Sequence, residues 1–228
     1  MEGVKIMRLA SPKLPTKKLA ETPYLFGEIR TSSTRYLAIP KVSSENRFYI
    51  PIGYLDADVI CGDKLFFIPD ASLFHFGVLT SHMHNAWMRT TCGRLKSDYS
   101  YSNTIVYNNY PWPQSIKPEQ QAKIEAAAQL VLDARTFEEN RCAVQGQKCS
   151  LAAMYASGNI PTDLLKAHNQ IDKAVDAAYG YKPALSRAEG GGKDDAARVA
   201  FLFERYQQLL SGITIPDQQE SSANAQQI

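Results

Sequence analysis

Residues Phe76 to Thr91 read FGVLTSHMHNAWMRTT, and this stretch decides how the first half of the chain is built. Val78, Leu79, Met83, Ala86 and Trp87 recur in it at helical spacing. On either side the pattern changes to short aromatic and β-branched runs separated by turn residues. These runs are Tyr24 to Ile29, Tyr36 to Ile39, Phe48 to Ile52, Leu65 to Ile68 and Thr104 to Tyr107. The spacing therefore predicts one helix embedded in a mixed, strand-rich domain over residues 24–113.

Further out the pattern is helical. Pro118 opens a run in which Ile124, Ala127, Ala128, Val131 and Leu132 recur at helical spacing. A second helix is expected from about Thr162 to Tyr179, stopped by Gly180 as a left-handed terminator. A third is expected from about Asp194 to Leu210, with Val199, Phe201, Leu202, Tyr206 and Leu209 as its apolar side. The fold class is thus α+β: a strand-rich domain with an embedded helix, then a small helical domain over residues 114–210. Residues 1–23, with Lys13, Lys17 and Lys18 close together, read as a basic arm or linker, and residues 211–228 as a disordered tail.

Composition sets outer limits. The 228 residues are 44% hydrophobic and 21% charged, which is globular and neither collagenous nor membrane-embedded. A formal net charge of +2 excludes a uniformly basic, histone-like protein. The charge is uneven: residues 1–113 carry 13 Lys/Arg against 9 Asp/Glu, and residues 114–228 carry 12 against 14. An anionic partner would meet the first half. Cys61, Cys92, Cys142 and Cys149 form no Cys-x-x-Cys pair, so no zinc site is readable. Cys142 and Cys149 are near enough to bridge in an oxidising compartment, but four scattered cysteines point to a reduced one. The start, MEGVKIMRLASPKLPTKK, has no apolar core of signal-peptide length. The expectation is a cytoplasmic protein.

Catalytic motifs are weak. No G-x-S-x-G elbow occurs. His82 and His84 point about 200° apart on a helix and cannot share a metal, so hydrogen-bonded or phosphate-facing imidazoles are expected instead. Gly190-Gly191-Gly192-Lys193 lacks the earlier glycine and the Ser/Thr of a phosphate loop, holding Arg187 and Asp194 there. Asn108-Asn109-Tyr110-Pro111-Trp112-Pro113 has the wrong order for the Asn-Pro-Pro-Tyr motif of amino-group methyltransferases. Trp87, Trp112 and Tyr110 are read as core. No catalytic residue and no metal ligand is assigned. What remains is Arg30, Arg35, Lys41, Arg47, Lys64, Arg89, Arg94 and Lys96, interleaved with Tyr36, Tyr49, Tyr99 and Tyr101. Such residues suit phosphates, although charges on a sheet are usually a solvated face.

Six longer blocks carry more information. They are RLASPKLPTKKLAETPYLFGEIR, YLAIPKVSSENRFYIPIGYL, FFIPDASLFHFGVLTSHMHNAWMR, CGRLKSDYSYSNTIVYNNYPWP, LLKAHNQIDKAVDAAYGY and DDAARVAFLFERYQQL. In this order they resemble the C-terminal part of MmeI-type (type IIL) restriction–modification enzymes, which join a nuclease and an adenine-specific DNA methyltransferase. The resemblance implies that residues 24–113 are a DNA target recognition domain and that the helical part packs against it. It also implies that the catalytic core lies upstream of what this chain contains, so S-adenosylmethionine and Mg²⁺ belong to the full-length enzyme. The chain then looks like a detached, sequence-specific module for double-stranded DNA. A specificity subunit of a split methyltransferase, working with a separate core chain, and an inactive remnant are the alternatives.

The resemblance places base reading at Lys41, at Asp63 and Lys64, and at Lys96, Asp98 and Ser100. The chemistry is compatible: Lys donates to guanine O6 and N7, and Asp accepts from cytosine N4. Lys96 and Asp98 are two apart, so on an extended segment they would share a face and address one G·C pair. The bland alternative is an exposed salt bridge worth little. Arg47, Ser81, His82, Arg89 and Arg94 are the phosphate candidates, against structural roles.

Overall fold

Ser81 divides the stretch that was expected as one helix. The computed structural model describes residues 1–27, 31–182 and 195–212. In it Leu73–Thr80 forms α3 and His82–Thr91 forms α4, with Ser81 extended between them at φ −66° and ψ 160°. The break is local chemistry. Ser81 Oγ donates to the Val78 carbonyl at 2.7 Å and accepts from the His84 amide, ending one helix and capping the next.

The remaining elements, in chain order, are α1 (Glu2–Leu9), α2 (Leu14–Lys18), β1 (Tyr36–Pro40), β2 (Val42–Ser43), β3 (Gly53–Leu55) and β4 (Leu65–Pro69). After α3 and α4 come β5 (Gly93–Leu95), β6 (Asp98–Ser100), α5 (Pro118–Val144), α6 (Leu151–Met154), α7 (Thr162–Tyr179) and α8 (Asp195–Leu210). The class is α+β, as expected. Of the five apolar runs, Tyr36 to Ile39 and Leu65 to Ile68 form strands, each extended by one residue, and the four short strands β2, β3, β5 and β6 lie outside the runs. Phe48 to Ile52 is buried irregular chain leading into β3, and Asn103–Tyr107 is a π-helical turn. Residues 24–27 of the first expected strand are irregular, and the rest of it lies outside the described residues. Residues 1–23, expected as an arm, hold α1 and α2. Arg8 folds them back by donating to the carbonyls of Leu19, Thr22 and Leu25 at 2.7–2.9 Å. The glycine-rich loop and the tail from residue 213 lie outside the described residues.

Two antiparallel three-stranded sheets form, in the orders β3-β1-β4 and β2-β6-β5. β1 is central, with Tyr36, Leu37, Ala38 and Ile39 all buried. α4 is buried over seven successive residues, His82 to Met88, so it runs through the core rather than along its surface. α3 packs on α5, and α4 on α7 and α8. Gly77 permits the first contact, because a Cβ there would stand 2.6 Å from Ile124 Cγ2. One hydrophobic core therefore runs from Leu37 through Trp87 to Leu202 and joins both halves of the chain.

His84 shows how polar groups are held inside. Its Nδ1–H donates to the Leu79 carbonyl at 2.8 Å, which leaves Nε2 to accept from the Tyr101 hydroxyl at 3.1 Å. Burial holds the ring at about 4, below its ordinary 6.5. The unfolded chain takes up that proton first, so this stability is present above pH 6.5 and is lost as pH falls toward 4. His84→Gln should remove part of the slope of unfolding free energy against pH in that window. An unchanged slope in urea titrations would contradict the assignment.

Candidate nucleic-acid interface

Lys41 is the single residue between β1 and β2, and its backbone belongs to both sheets. Its N–H donates to the Lys64 carbonyl at 2.9 Å, which continues the β1–β4 ladder. Its carbonyl accepts from the Tyr101 N–H at 2.8 Å, which continues the β2–β6 ladder. Its ammonium lies 4.7 Å from the centre of the Phe66 ring, a cation–π contact that keeps the charge at the surface.

The other base-reading candidates lie to either side of this junction. Asp63 and Lys64 are in the turn closed by the Leu65 N–H to Gly62 carbonyl bond. Their side chains are 86% and 84% exposed, with Nζ 3.5 Å from Oδ2. A pair that exposed contributes about 0–1 kcal/mol to stability. Ser100 pairs with Val42 across β2–β6 and with Gly93 across β5–β6. Asp98 starts β6 opposite Leu95, and its Oδ1 accepts from the Glu45 N–H at 3.3 Å. Three separate stretches of sequence thus meet along one edge, in the order Asp63 and Lys64, Lys41, Ser100, Asp98, Lys96. A cleft of about 650 Å³, lined by Lys41, Asp63, Phe66 and the exposed Phe26 and Ile60, opens beside its first members.

Lys96 departs from the extended geometry expected for it. β5 and β6 form a hairpin whose two-residue turn is Lys96-Ser97, and Lys96 has φ 57°. It therefore stands at the hairpin tip and does not share a strand face with Asp98. Left-handed backbone at a lysine is uncommon and is what a tight hairpin turn demands of its first central residue.

The phosphate candidates separate into two groups. Ser81 and His82 are completely buried, and Ser81 is consumed in capping α4. His82 Nε2 lies 2.6 Å from Asp195 Oδ1. Arg89 grips the same carboxylate with Nε at 2.7 Å and Nη2 at 2.9 Å, and donates from Nη1 to the Phe48 carbonyl. These three act inside the fold and are corrected to structural roles. Arg47 bonds Ser43 Oγ and the Ala152 carbonyl, which ties the edge to the helical half while leaving the residue half-buried. Arg94 is exposed, lies 4.3 Å over the Tyr99 ring and donates to the Ser97 carbonyl at 3.0 Å. Arg30 lies outside the described residues. Tyr36, Tyr49, Tyr99 and Tyr101 are buried, so they alternate with the basic residues in sequence but not on the surface.

Two contributors were missed. Glu45 fixes the edge through its backbone, donating to Asp98 and accepting from the Tyr99 hydroxyl at 3.1 Å. The polar run Ser44-Glu45-Asn46 signals a turn, but nothing in it reveals that partner. Phe66, beneath Lys41, reads in sequence only as one more strand aromatic. Among the described residues no group of three or more His, Cys, Asp or Glu is placed to hold a metal. No described helix is long and apolar enough to cross a membrane.

Asp195 links α8 to α4. Burial acts to raise its carboxyl, but the bonds from His82 and Arg89 outweigh that and hold it at about 2. Asp195→Ala should lower stability by about 1–2 kcal/mol in chemical denaturation, allowing for its partial exposure. A variant as stable as the parent would show that Arg89 and His82 are not held by this carboxylate.

Comparison with known proteins agrees with this architecture. Residues 1–114 match the family model described as MmeI, target recognition domain, and residues 116–214 the one described as MmeI, C-terminal domain. DNA methyltransferase A of Bacillus subtilis (strain 168) is 35% identical over 194 residues, covering 85% of this chain and 20% of the relative. The solved structure of the type IIL restriction-modification enzyme MmeI in complex with DNA is similar at 44% identity and a TM-score of 0.78. That match covers 92% of this chain and 26% of the other. The chain spans about a fifth of the curated relative and about a quarter of the solved one.

Proposed function

The chain belongs to the MmeI family, joining that family's target recognition domain to its C-terminal domain, and from this we propose that it reads double-stranded DNA sequence for a restriction–modification adenine methyltransferase. The observation that carries the proposal is the edge stitched by Lys41. Residues 41, 63–64 and 96–100 are far apart in sequence, yet adjacent ladder bonds bring them together. The edge offers ammonium donors and carboxylate acceptors, which are the groups that distinguish guanine and cytosine in the major groove. A two-stranded ribbon such as β5–β6 fits that groove in width. Arg94, on the β5–β6 hairpin, supplies exposed positive charge for the phosphates. The helical half is tied to this edge through Arg47, which donates to the Ala152 carbonyl.

Methylation and cleavage are assigned to other machinery. All the described ladders are antiparallel, and no described strand leads through a glycine-rich loop into a helix. A methyltransferase core is the second partner of the proposal.

Duplex DNA binding by the purified chain should weaken steeply as salt rises, because phosphate contacts release counterions. A salt-insensitive affinity would contradict the proposal. In a reconstituted methyltransferase, exchanging Lys96, at the hairpin tip, and Asp98, on β6, should change the preferred base at the position each one reads, by about 1–3 kcal/mol of discrimination. Methylation at an unchanged recognition sequence would remove both residues from the reading set.

A further inference from the structure

α5 buries one side only. Ile124, Ala128, Val131, Arg135, Glu138 and Cys142 face inward. On the outer side Leu130, Ala134, Phe137, Arg141 and Val144 follow one another at alternating steps of four and three. At about 100° per residue these five fall within a narrow stripe, the seam spacing of paired helices. Ala134 is partly buried against the core, while Leu130 is 42% exposed, Phe137 59% and Val144 90%. Phe137 separates two hollows. One, of about 360 Å³, is lined by Phe137, Arg141 and Val144. The other, of about 480 Å³, is lined by Leu130, Asp133 and Phe137 together with α7. A contiguous apolar stripe of this kind marks an interaction surface.

We infer that this stripe pairs α5 with α5 of a second copy of the chain, antiparallel, about a two-fold axis at Phe137. The sequence of the helix selects this occupant. With Phe137 on the axis, Leu130 comes level with Val144 of the second copy, seven residues away on either side. Asp133 comes level with Arg141 of the second copy, four residues away on either side. A two-fold interface must be self-complementary, each residue meeting its counterpart reciprocally. Here apolar meets apolar and carboxylate meets guanidinium, twice each. A parallel pairing would instead set Asp133 beside Asp133 and Arg141 beside Arg141, which is repulsive. Arg141 already bonds Glu138 at 2.8 Å through Nε while its side chain stays 51% exposed, so the guanidinium is steadied rather than consumed. Each Phe137 ring has a hollow on the facing copy to enter.

The test is sedimentation of the purified full chain over a range of concentrations, with circular dichroism confirming that each variant is folded. A concentration-dependent dimer is expected. Phe137→Lys should make it monomeric, since residue 137 faces its own copy across the axis. Asp133→Arg and Arg141→Asp should each raise the dissociation constant about tenfold, and the double variant should recover most of that loss. A monomer at every concentration would overturn the inference, including one that associates only with a different chain. So would a dimer that survives Phe137→Lys, or a double variant weaker than either single one.

Discussion

Asp172 is a buried carboxylate that fastens the two halves of the chain together. It sits on α7, in the helical half, and both of its oxygens are used by the strand-rich half. Oδ1 accepts from the His82 N–H at 2.7 Å, at the first residue of α4, and Oδ2 accepts from the Tyr49 hydroxyl at 2.7 Å. A carboxylate there answers the positive end of α4 and satisfies an amide that the helix itself leaves unpaired. Burial, and then the neighbouring carboxylate, push the Tyr49 phenol far up, so it stays protonated and donates. The Tyr49 ring stacks on His168 of α7 at 4.0 Å. Nearby, Arg135 of α5 donates to the Ile52 carbonyl and to the Tyr155 hydroxyl, while Tyr155 bonds His168 Nε2 at 2.6 Å. Tyr49 to Ile52 needs no strand because Asn85 of α4 accepts from the Ile50 N–H and Arg135 of α5 donates to the Ile52 carbonyl.

This joint explains how a surface edge of short strands can be rigid. Two- and three-residue strands bury little area and are marginal alone. Here β1 and the irregular segment after β2 are anchored to helices, and Lys41 carries that order into both sheets. The edge residues contribute little to folding: Asp63 and Lys64 are almost fully exposed, and Lys96 occupies a turn tip. Exchange of such side chains leaves the core untouched. Side chains on this edge can therefore vary on a fixed frame.

Much of the fold was legible because its signals are local. α7 runs from Thr162 to Tyr179 and ends at a left-handed Gly180, as its periodicity and terminator indicate. β1 and β4 follow their β-branched and aromatic runs. What was not legible depends on distant partners. Ser81 ends one helix and caps another through its own hydroxyl, and a continuous apolar period conceals that. Phe48 to Ile52 reads as a strand because its residues are buried, but its polar partners are Asn85, Arg135 and Arg89. Ser81, His82 and Arg89 resemble phosphate ligands by residue type alone; burial and Asp195 decide otherwise. Cys142 and Cys149, expected as thiols, are joined as a disulfide at the end of α5. The edge candidates came from the family resemblance, and their meeting at Lys41 is a property of the fold alone.

DNA meeting the edge that Lys41 joins must shield the amides of that edge. Amide hydrogen exchange of the whole chain, with and without duplex DNA bearing the preferred site, reads this. New protection is expected over residues 41–46, 62–65 and 94–101, with α5 and α7 unchanged. Protection confined to α5 and α7, with the hairpin still exchanging freely, would contradict it.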